Sequence, residues 1–417
     1  MKAKTHIPQS GVKCAFFFFG KARILFLLSL LYLLLLCNAC SKPSADKAHQ
    51  AAQKPSADLA IFTKPLSEIK YAKGFDIHYE NGVKLIRIFK GFQDKADTLR
   101  YVLAPKNFTV PEQYRSWTVV RTPIERAAIF TTTHAGFFSL LGAEENIVGM
   151  ATPEFINSPK IKSRIDAGEI SEIGDAFSPN LEVMLACQLD VVLVTVLPTT
   201  KFSQYQTLIE SGSPVVVIGE WLENSPLGRA EWMKLLAALL DKESLANEEF
   251  AQIESAYQSF AKLTDSVSVR PSVLTGLAYK DSWFVPAGES YGACLLKDAG
   301  ASYHWSSKKG TGSLNLDFEA VYPVALAADF WINPGTLTSM KELFAKDSRF
   351  KDFSSVRSGR VFNNNKQLNA NGGNAYWEYG IVKPHLVLGD LISIFHPELK
   401  EQLPSDVQET TFYQQVK

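Results

Sequence analysis

The sequence predicts an α/β protein of two lobes joined by one long helix, with a strand-rich N-terminal extension. Between Ala127 and Ile218, short apolar strand patterns alternate with helical ones across brief connections, which means βαβ units and mainly parallel sheet. A second alternation runs from Val273 to Phe395. Between them, Trp232, Leu235, Leu236, Leu239, Phe250, Ile253, Tyr257 and Phe260 recur near a 3.6-residue period. That run, from about Gly228 to Leu263, holds no further Gly or Pro and at ~1.5 Å per residue would span roughly 50 Å.

The elements follow in chain order. Ile24–Leu36 is an apolar stretch behind Lys21 and Arg23, ending in Cys37-Asn38-Ala39-Cys40. A basic start, a short apolar run and a small residue before a cut describe an export signal over residues 1–39, too short to span a bilayer. The cut resembles a bacterial lipobox, which makes Cys40 the lipidated mature N-terminus and residues 40–73, rich in Ser, Ala, Lys and Pro, its tether. Residues 74–122 carry four strand patterns, at Phe75–Tyr79, Lys84–Phe89, Leu99–Leu103 and Trp117–Arg121, the first two joined by an Asn81-Gly82 hairpin turn. The N-terminal lobe is expected over 123–226, with strands at Ala127–Phe130, Ile147–Met150, Val191–Val196 and Val215–Ile218 and helices at His134–Leu141, Asn180–Ala186 and Phe202–Glu210. The connecting helix takes 227–266 and the C-terminal lobe 267–417. This second lobe has strands at Val273–Ala278, Ser282–Val285 and Phe330–Ile332 and helices at Gly292–Asp298, Phe318–Ala325 and Pro384–Phe395. The lobes echo each other. Asn180-Leu-Glu182 opens a helix before Asp190-Val-Val-Leu, and Leu316-Asp-Phe-Glu319 opens one before Asp329-Phe-Trp-Ile.

Composition narrows the function. The 417 residues are 46% hydrophobic and 21% charged, enough to build large cores and unlike a disordered chain. The 43 basic and 43 acidic residues hide an asymmetry, because the first 39 residues carry five basic and no acidic side chains. Their removal leaves 38 basic against 43 acidic residues, a net charge of −5 with no electrostatic footprint for nucleic acid. Of five cysteines, Cys187 and Cys294 sit in apolar helical stretches and read as buried small hydrophobes, and no Cys/His spacing predicts a metal site.

Several stretches in this order resemble the substrate-binding proteins of ABC importers in the ferric-siderophore, haem and cobalamin class. They are Arg126–Phe130 into Thr131-Thr-Thr-His-Ala-Gly-Phe-Phe, Ile147-Val-Gly149, Ile173-Gly-Asp175, Pro179-Asn-Leu-Glu182, Leu189-Asp-Val-Val-Leu193, Trp283-Phe-Val-Pro-Ala-Gly288, Leu295-Leu-Lys-Asp-Ala-Gly300 and Gly359-Arg-Val-Phe362. The resemblance covers roughly Pro123 to Leu399 and implies two Rossmann-like lobes, no catalysis and no resident cofactor. It further implies a complexed-iron ligand (alternatively cobalamin or haem) held between the lobes, an ABC permease as partner, and a monomer. The carboxylates Glu182 and Glu319 match the places where relatives pair with permease arginines. The extension resembles that of some iron-transport lipoproteins.

The expected ligand contacts are Thr133, His134, Trp283, Ser290, Tyr291, Asn374, Tyr376 and Trp377, at loops and element ends where binding residues gather on a rigid scaffold. Aromatic faces among them suit bulky, partly apolar chelates. His134 is a possible haem ligand but more readily a helix-start histidine satisfied by backbone. Gly288-Glu-Ser-Tyr-Gly292 matches the G-x-S-x-G nucleophile pattern, with His385 and His396 downstream, which keeps a serine hydrolase as the rival reading. Pro286-Ala287 between strand and serine argues instead for Ser290 as a helix N-cap.

Overall fold

A computed structural model describes residues 66–89, 98–195, 201–280 and 282–417. The expected export signal, Cys40 and most of the tether lie outside these residues. The N-terminal lobe is built on a five-stranded parallel sheet in the order β7-β6-β5-β8-β9. Its strands are β5 (Ala127–Ile129), β6 (Ile147–Met150), β7 (Ser171–Glu172), β8 (Val191–Thr195) and β9 (Val215–Ile218). Strands β8 and β9 are buried throughout, Val-Val-Leu-Val-Thr in β8 and Val-Val-Val-Ile in β9 at the sheet edge, as a parallel sheet covered on both faces requires. Helices α1 (Thr132–Leu140), α2 (Pro159–Asp166) and α3 (Leu181–Ala186) belong to its crossovers; α2, opened by Ser158 and Pro159, was not expected from the sequence.

The C-terminal lobe pairs β10 (Val273–Thr275), β14 (Phe330–Ile332) and β15 (Val361–Asn363) in parallel, with β16 (Gln414–Gln415) antiparallel at the edge. The Ser282–Pro286 strand, β12, departs from the expected parallel arrangement. It lies in a separate antiparallel sheet between β11 (Ala278–Tyr279) and β13 (Ser313–Asp317), a strand the sequence reading missed. Side chains on β12 alternate, Trp283 and Val285 buried, Phe284 exposed.

The expected single connecting helix is three: α4 (Pro226–Glu231), α5 (Met233–Leu240) and α6 (Glu243–Leu263). The first break falls at Trp232 and the second at Asp241, whose φ of 55° is left-handed, a conformation Asp tolerates better than most residues. A buried lysine from the extension stabilises the second. Lys84 Nζ lies 2.7 Å from the Ala238 carbonyl, 2.6 Å from Asp241 Oδ1 and 2.5 Å from Glu243 Oε1. Helix α6 makes the passage to the C-terminal lobe, with Tyr257 donating 2.7 Å to Asp298 there.

The extension is not a separate body. Its strands β1 (Phe75–Glu80), β2 (Val83–Ile88), β3 (Leu99–Pro105) and β4 (Thr118–Thr122) form one sheet, closed at the Asn81-Gly82 turn where both residues take positive φ. One face, including Phe75, Ile77, Ile86, Ile88 and Tyr101, merges with the main core, and the Phe75 and Trp232 rings sit 4.6 Å apart. The other face holds a small core of Val83, Leu85, Val102, Ala104 and Tyr114. Residues 66–73 also correct the expected tether boundary, because they are bound to the helices throughout. Asn247 Nδ2 donates to the Leu66 carbonyl at 2.7 Å, and Lys234 Nζ to the Glu68 carbonyl at 2.6 Å.

Candidate functional site

In open α/β sheets, ligands gather at the carboxyl ends of the strands. In the N-terminal lobe, β5 runs there into Phe130 and Thr131, and β9 into Gly219, Glu220 and Trp221. In the C-terminal lobe, β14 runs into Asn333 and β15 into Asn363–Asn365. Thr131 caps α1, its Oγ1 accepting from His134 N at 3.1 Å.

The loop 364–380 crosses to the N-terminal lobe and is bonded there. Thr133 Oγ1 donates to the Trp377 carbonyl at 2.8 Å. Glu378, on a π-helical turn (Tyr376–Gly380), is fully buried and accepts from Asn157 N at 2.6 Å and Ser158 N at 2.9 Å. Burial pushes its carboxyl up, against those two amides. Asn369 Nδ2 adds bonds of 3.0 Å to the carbonyls of Glu154 and Ile156. The turn presses so closely on α1 that a Cβ at Gly136 would lie 1.8 Å from the Glu378 carbonyl oxygen.

Beside this bridge lies an aromatic and polar cluster. Arg229, half-buried on α4, sets its guanidinium 3.9 Å over the Tyr291 ring, a cation–π contact. It also donates to the carbonyls of Trp221 at 2.8 Å and Glu223 at 3.2 Å. Tyr291 is the first residue of α7 (Tyr291–Asp298), with its hydroxyl buried beside Tyr376. Burial raises the Tyr291 phenol, and Tyr376 and Tyr413 interact with one another and with it. Asn333 donates to Tyr413 OH at 3.2 Å, leaving its own Oδ1 unpartnered. Trp377 is 51% exposed and Trp221 37%, giving the cluster two aromatic rims.

Of the expected contacts, Thr133, Tyr291, Asn374, Tyr376 and Trp377 are thus linked with the junction of the lobes. Asn374 serves the loop itself, accepting from Tyr376 N at 2.9 Å and donating to the Asn364 carbonyl at 3.1 Å. Trp283 is a correction. It is wholly buried among Trp331, Phe318, Phe350 and Phe353, its indole donating to the Thr275 carbonyl at 2.9 Å, and it is a core residue of the C-terminal lobe. Ser290 is buried and caps α7, its Oγ accepting from Ala293 N at 3.3 Å. His396 instead bonds Glu398 and the Gly300 carbonyl, and His385 Nδ1 has no partner. That is cap geometry, not a nucleophile held by a base. His134 is also corrected: neither ring nitrogen has a partner, and burial lowers its pKa to about 3. Among the described residues no group of three His, Cys, Asp or Glu side chains could hold a metal ion, and no helix is long and apolar enough to cross a membrane.

Sequence reasoning missed Arg229, Glu220 and Glu378. Glu220 comes one glycine after the buried strand β9, the one signal that could have marked it. It is 4% exposed with Oε2 unpartnered, and burial raises it to about 7 against the pull of Arg229. A carboxyl that keeps its proton in the folded chain stabilises it at acid pH, and that stability is lost as pH rises from about 4.5 to about 7. Glu220→Gln is therefore expected to match the parent at pH 5 and exceed it at pH 8 by about 1–3 kcal/mol in urea denaturation. No gain at pH 8 would show that Glu220 is ionised and accommodated.

Comparison with known proteins accords with this geometry. Residues 128–368 match the periplasmic binding protein family. An uncharacterized lipoprotein of Methanocaldococcus jannaschii is 24% identical over 376 residues, 83% of this chain and 86% of the relative. Among solved structures, the molybdate-binding protein MolA of Haemophilus influenzae superposes with a TM-score of 0.54 at 16% identity, over 69% of this chain and 91% of that one. A periplasmic heme binding protein of Pseudomonas aeruginosa gives 0.50 at 17% identity, over 66% and 93%. A possible iron-binding protein of Staphylococcus epidermidis gives 0.50 at 17%, over 65% and 98%. The match takes in more than half of the chain, and the chain belongs to the periplasmic binding protein family. Members of this family are solute-binding proteins that work with ABC permeases and are not enzymes.

Proposed function

We propose that this chain captures complexed iron, as a ferric siderophore, at the junction of its lobes and delivers it to an ABC permease. The observation that carries this is the cluster of Arg229, Tyr291 and Tyr376 flanked by the exposed rings of Trp221 and Trp377. Phenols, amides and one guanidinium recognise the organic envelope of a chelate, and aromatic faces cover its apolar parts. Haem or cobalamin is the second reading, favoured by the heme binding protein among the structural neighbours. Lipidation at Cys40, supported by the lipoprotein relative, would keep the exported chain at the membrane beside its permease. Glu182 and Glu319 would dock the two lobes onto that permease.

Tryptophan-fluorescence titration of the mature chain with ferric siderophores, haem, cobalamin and molybdate tests the ligand. One ferric chelate is expected to bind with sub-micromolar Kd, and Trp377→Ala to weaken it about tenfold, the loss of one aromatic contact of about 1–1.5 kcal/mol. Binding of molybdate alone, or an unchanged Kd in Trp377→Ala, would overturn this reading. Recovery of Cys40→Ala in the soluble fraction, with its signal removed, is expected if Cys40 is the anchor; retention in membranes would refute it.

A further inference from the structure

Two buried carboxylates hold the segment that precedes β1. Glu231, with no exposed surface, accepts from Lys70 N at 2.9 Å, Tyr71 N at 2.6 Å and Ala72 N at 2.8 Å, and from Lys234 Nζ at 2.9 Å. Glu223, 6% exposed, accepts from Lys73 N at 2.9 Å and Gly74 N at 2.7 Å, and from the Trp232 indole at 3.1 Å. Five consecutive backbone amides thus end on two carboxylates about 150 residues further along the chain. The fit is tight, because a Cβ at Gly74 would lie 2.7 Å from Trp232. Buried carboxylates satisfied this fully are costly to break, since either half alone leaves desolvated polar groups without partners.

Glu223 has a second role. Its carboxylate faces the strap 70–74, while its carbonyl, with that of Trp221, accepts from Arg229. Arg229 in turn lies over Tyr291. An unbroken chain of contacts therefore runs from the strap through the Glu220–Ser225 turn to the guanidinium at the junction of the lobes.

We propose that the N-terminal extension is part of the ligand site at one remove. The strap 70–74, through Glu223, is a positioning element that fixes Trp221 and Arg229, so cleft affinity depends on a segment that does not enter the cleft. This rests on the reading that the Arg229–Tyr291 cluster receives the ligand. The extension has another anchor, Lys84 at the Asp241 break, which makes none of the contacts with the turn. That second anchor separates positioning from plain stability.

The test compares Glu223→Gln with Lys84→Met in the full mature chain, by titration with the ferric chelate that the parent binds and by amide hydrogen exchange over 219–232 without ligand. Glu223→Gln is expected to weaken binding about tenfold, the middle of the range for a residue acting through another, and to speed exchange in the turn. Lys84→Met is expected to lower the urea midpoint and leave the Kd within about twofold. Lys73→Pro, which removes one strap donor and leaves the carboxylate in place, serves if Glu223→Gln does not fold, with the same expected shifts. An unchanged Kd and unchanged exchange in the folded Glu223 or Lys73 variant would overturn the proposal, as would an equal loss of affinity in Lys84→Met. If the parent binds no chelate in the panel, the ligand reading fails by itself. The exchange result still decides whether the strap holds the turn.

Discussion

Gly136→Ala is expected to cost about 3 kcal/mol or more of stability in urea denaturation, although alanine in a helix interior would ordinarily gain about 1 kcal/mol over glycine. Gly136 lies within α1, where the π-helical turn of the C-terminal lobe packs against it, and the new Cβ would fall 1.8 Å from the Glu378 carbonyl oxygen and 3.0 Å from its carbon. Neither partner is a side chain that can rotate aside; both are backbone. Relief requires the turn to move by well over an ångström. That movement would strain the bonds of Glu378 to Asn157 N and Ser158 N and of Thr133 to the Trp377 carbonyl. The damage therefore concentrates where the lobes meet, and solute binding should fall with stability. Gly312→Ala, outside any helix, is the unhindered control, since beyond its chain neighbours no atom lies within 4 Å of its Cβ position. Wild-type stability in Gly136→Ala would mean that the lobes are not clamped through this turn.

The sequence disclosed what local pattern encodes. β-branched apolar runs such as Val191–Val194 between short connections mark strands covered on both faces, and Asn81-Gly82 between strand patterns marks a hairpin turn, so the lobes and the first hairpin are legible. The break at Asp241 is not, because no glycine or proline marks it. Lys84, about 157 residues earlier in the chain, holds it through a tertiary contact. The same reason hid Glu223, Glu231 and Glu378. A glutamate in a sequence reads as a solvated face, and only the fold shows that backbone amides from distant segments converge on it. Trp283 was misplaced for the opposite reason. It sits at an aromatic-rich strand end that looks like a binding rim, but the alternation of β12 turns it inward and Phe284 outward. Tyr291, Tyr376 and Trp377 were found as aromatics in loop-like surroundings, whereas Arg229, inside a helical pattern, carried no local mark.

The double variant Glu182→Ala/Glu319→Ala is expected to abolish ligand uptake by cells while the purified protein keeps its Kd. Both carboxylates are exposed in the first turns of helices, Glu182 on α3 and Glu319 on the helix Phe318–Ala327. A carboxylate there is favoured by the helix dipole by about 0.3–1 kcal/mol, which alone would account for both. In α3 the capping is already done by Asn180, whose Oδ1 accepts from Val183 N at 3.2 Å, so Glu182 is not needed to close the helix. Glu319 interacts with Arg349, which would have to share it with an incoming arginine. Exposed apolar side chains accompany each site: Phe177 and Leu185 near Glu182 in sequence, and Phe284 opposite Asn315 on the strand leading to Glu319. A charge rimmed by apolar surface is what a protein partner buries. Truncating one member of a desolvated charge pair costs about 2–5 kcal/mol, so each single variant should weaken permease association measurably and the double should remove it. If the glutamates serve only their own helices, the double variant loses at most about 2 kcal/mol of stability and transports normally. Normal uptake by the folded double variant would therefore refute docking through these residues and leave the ligand site untouched.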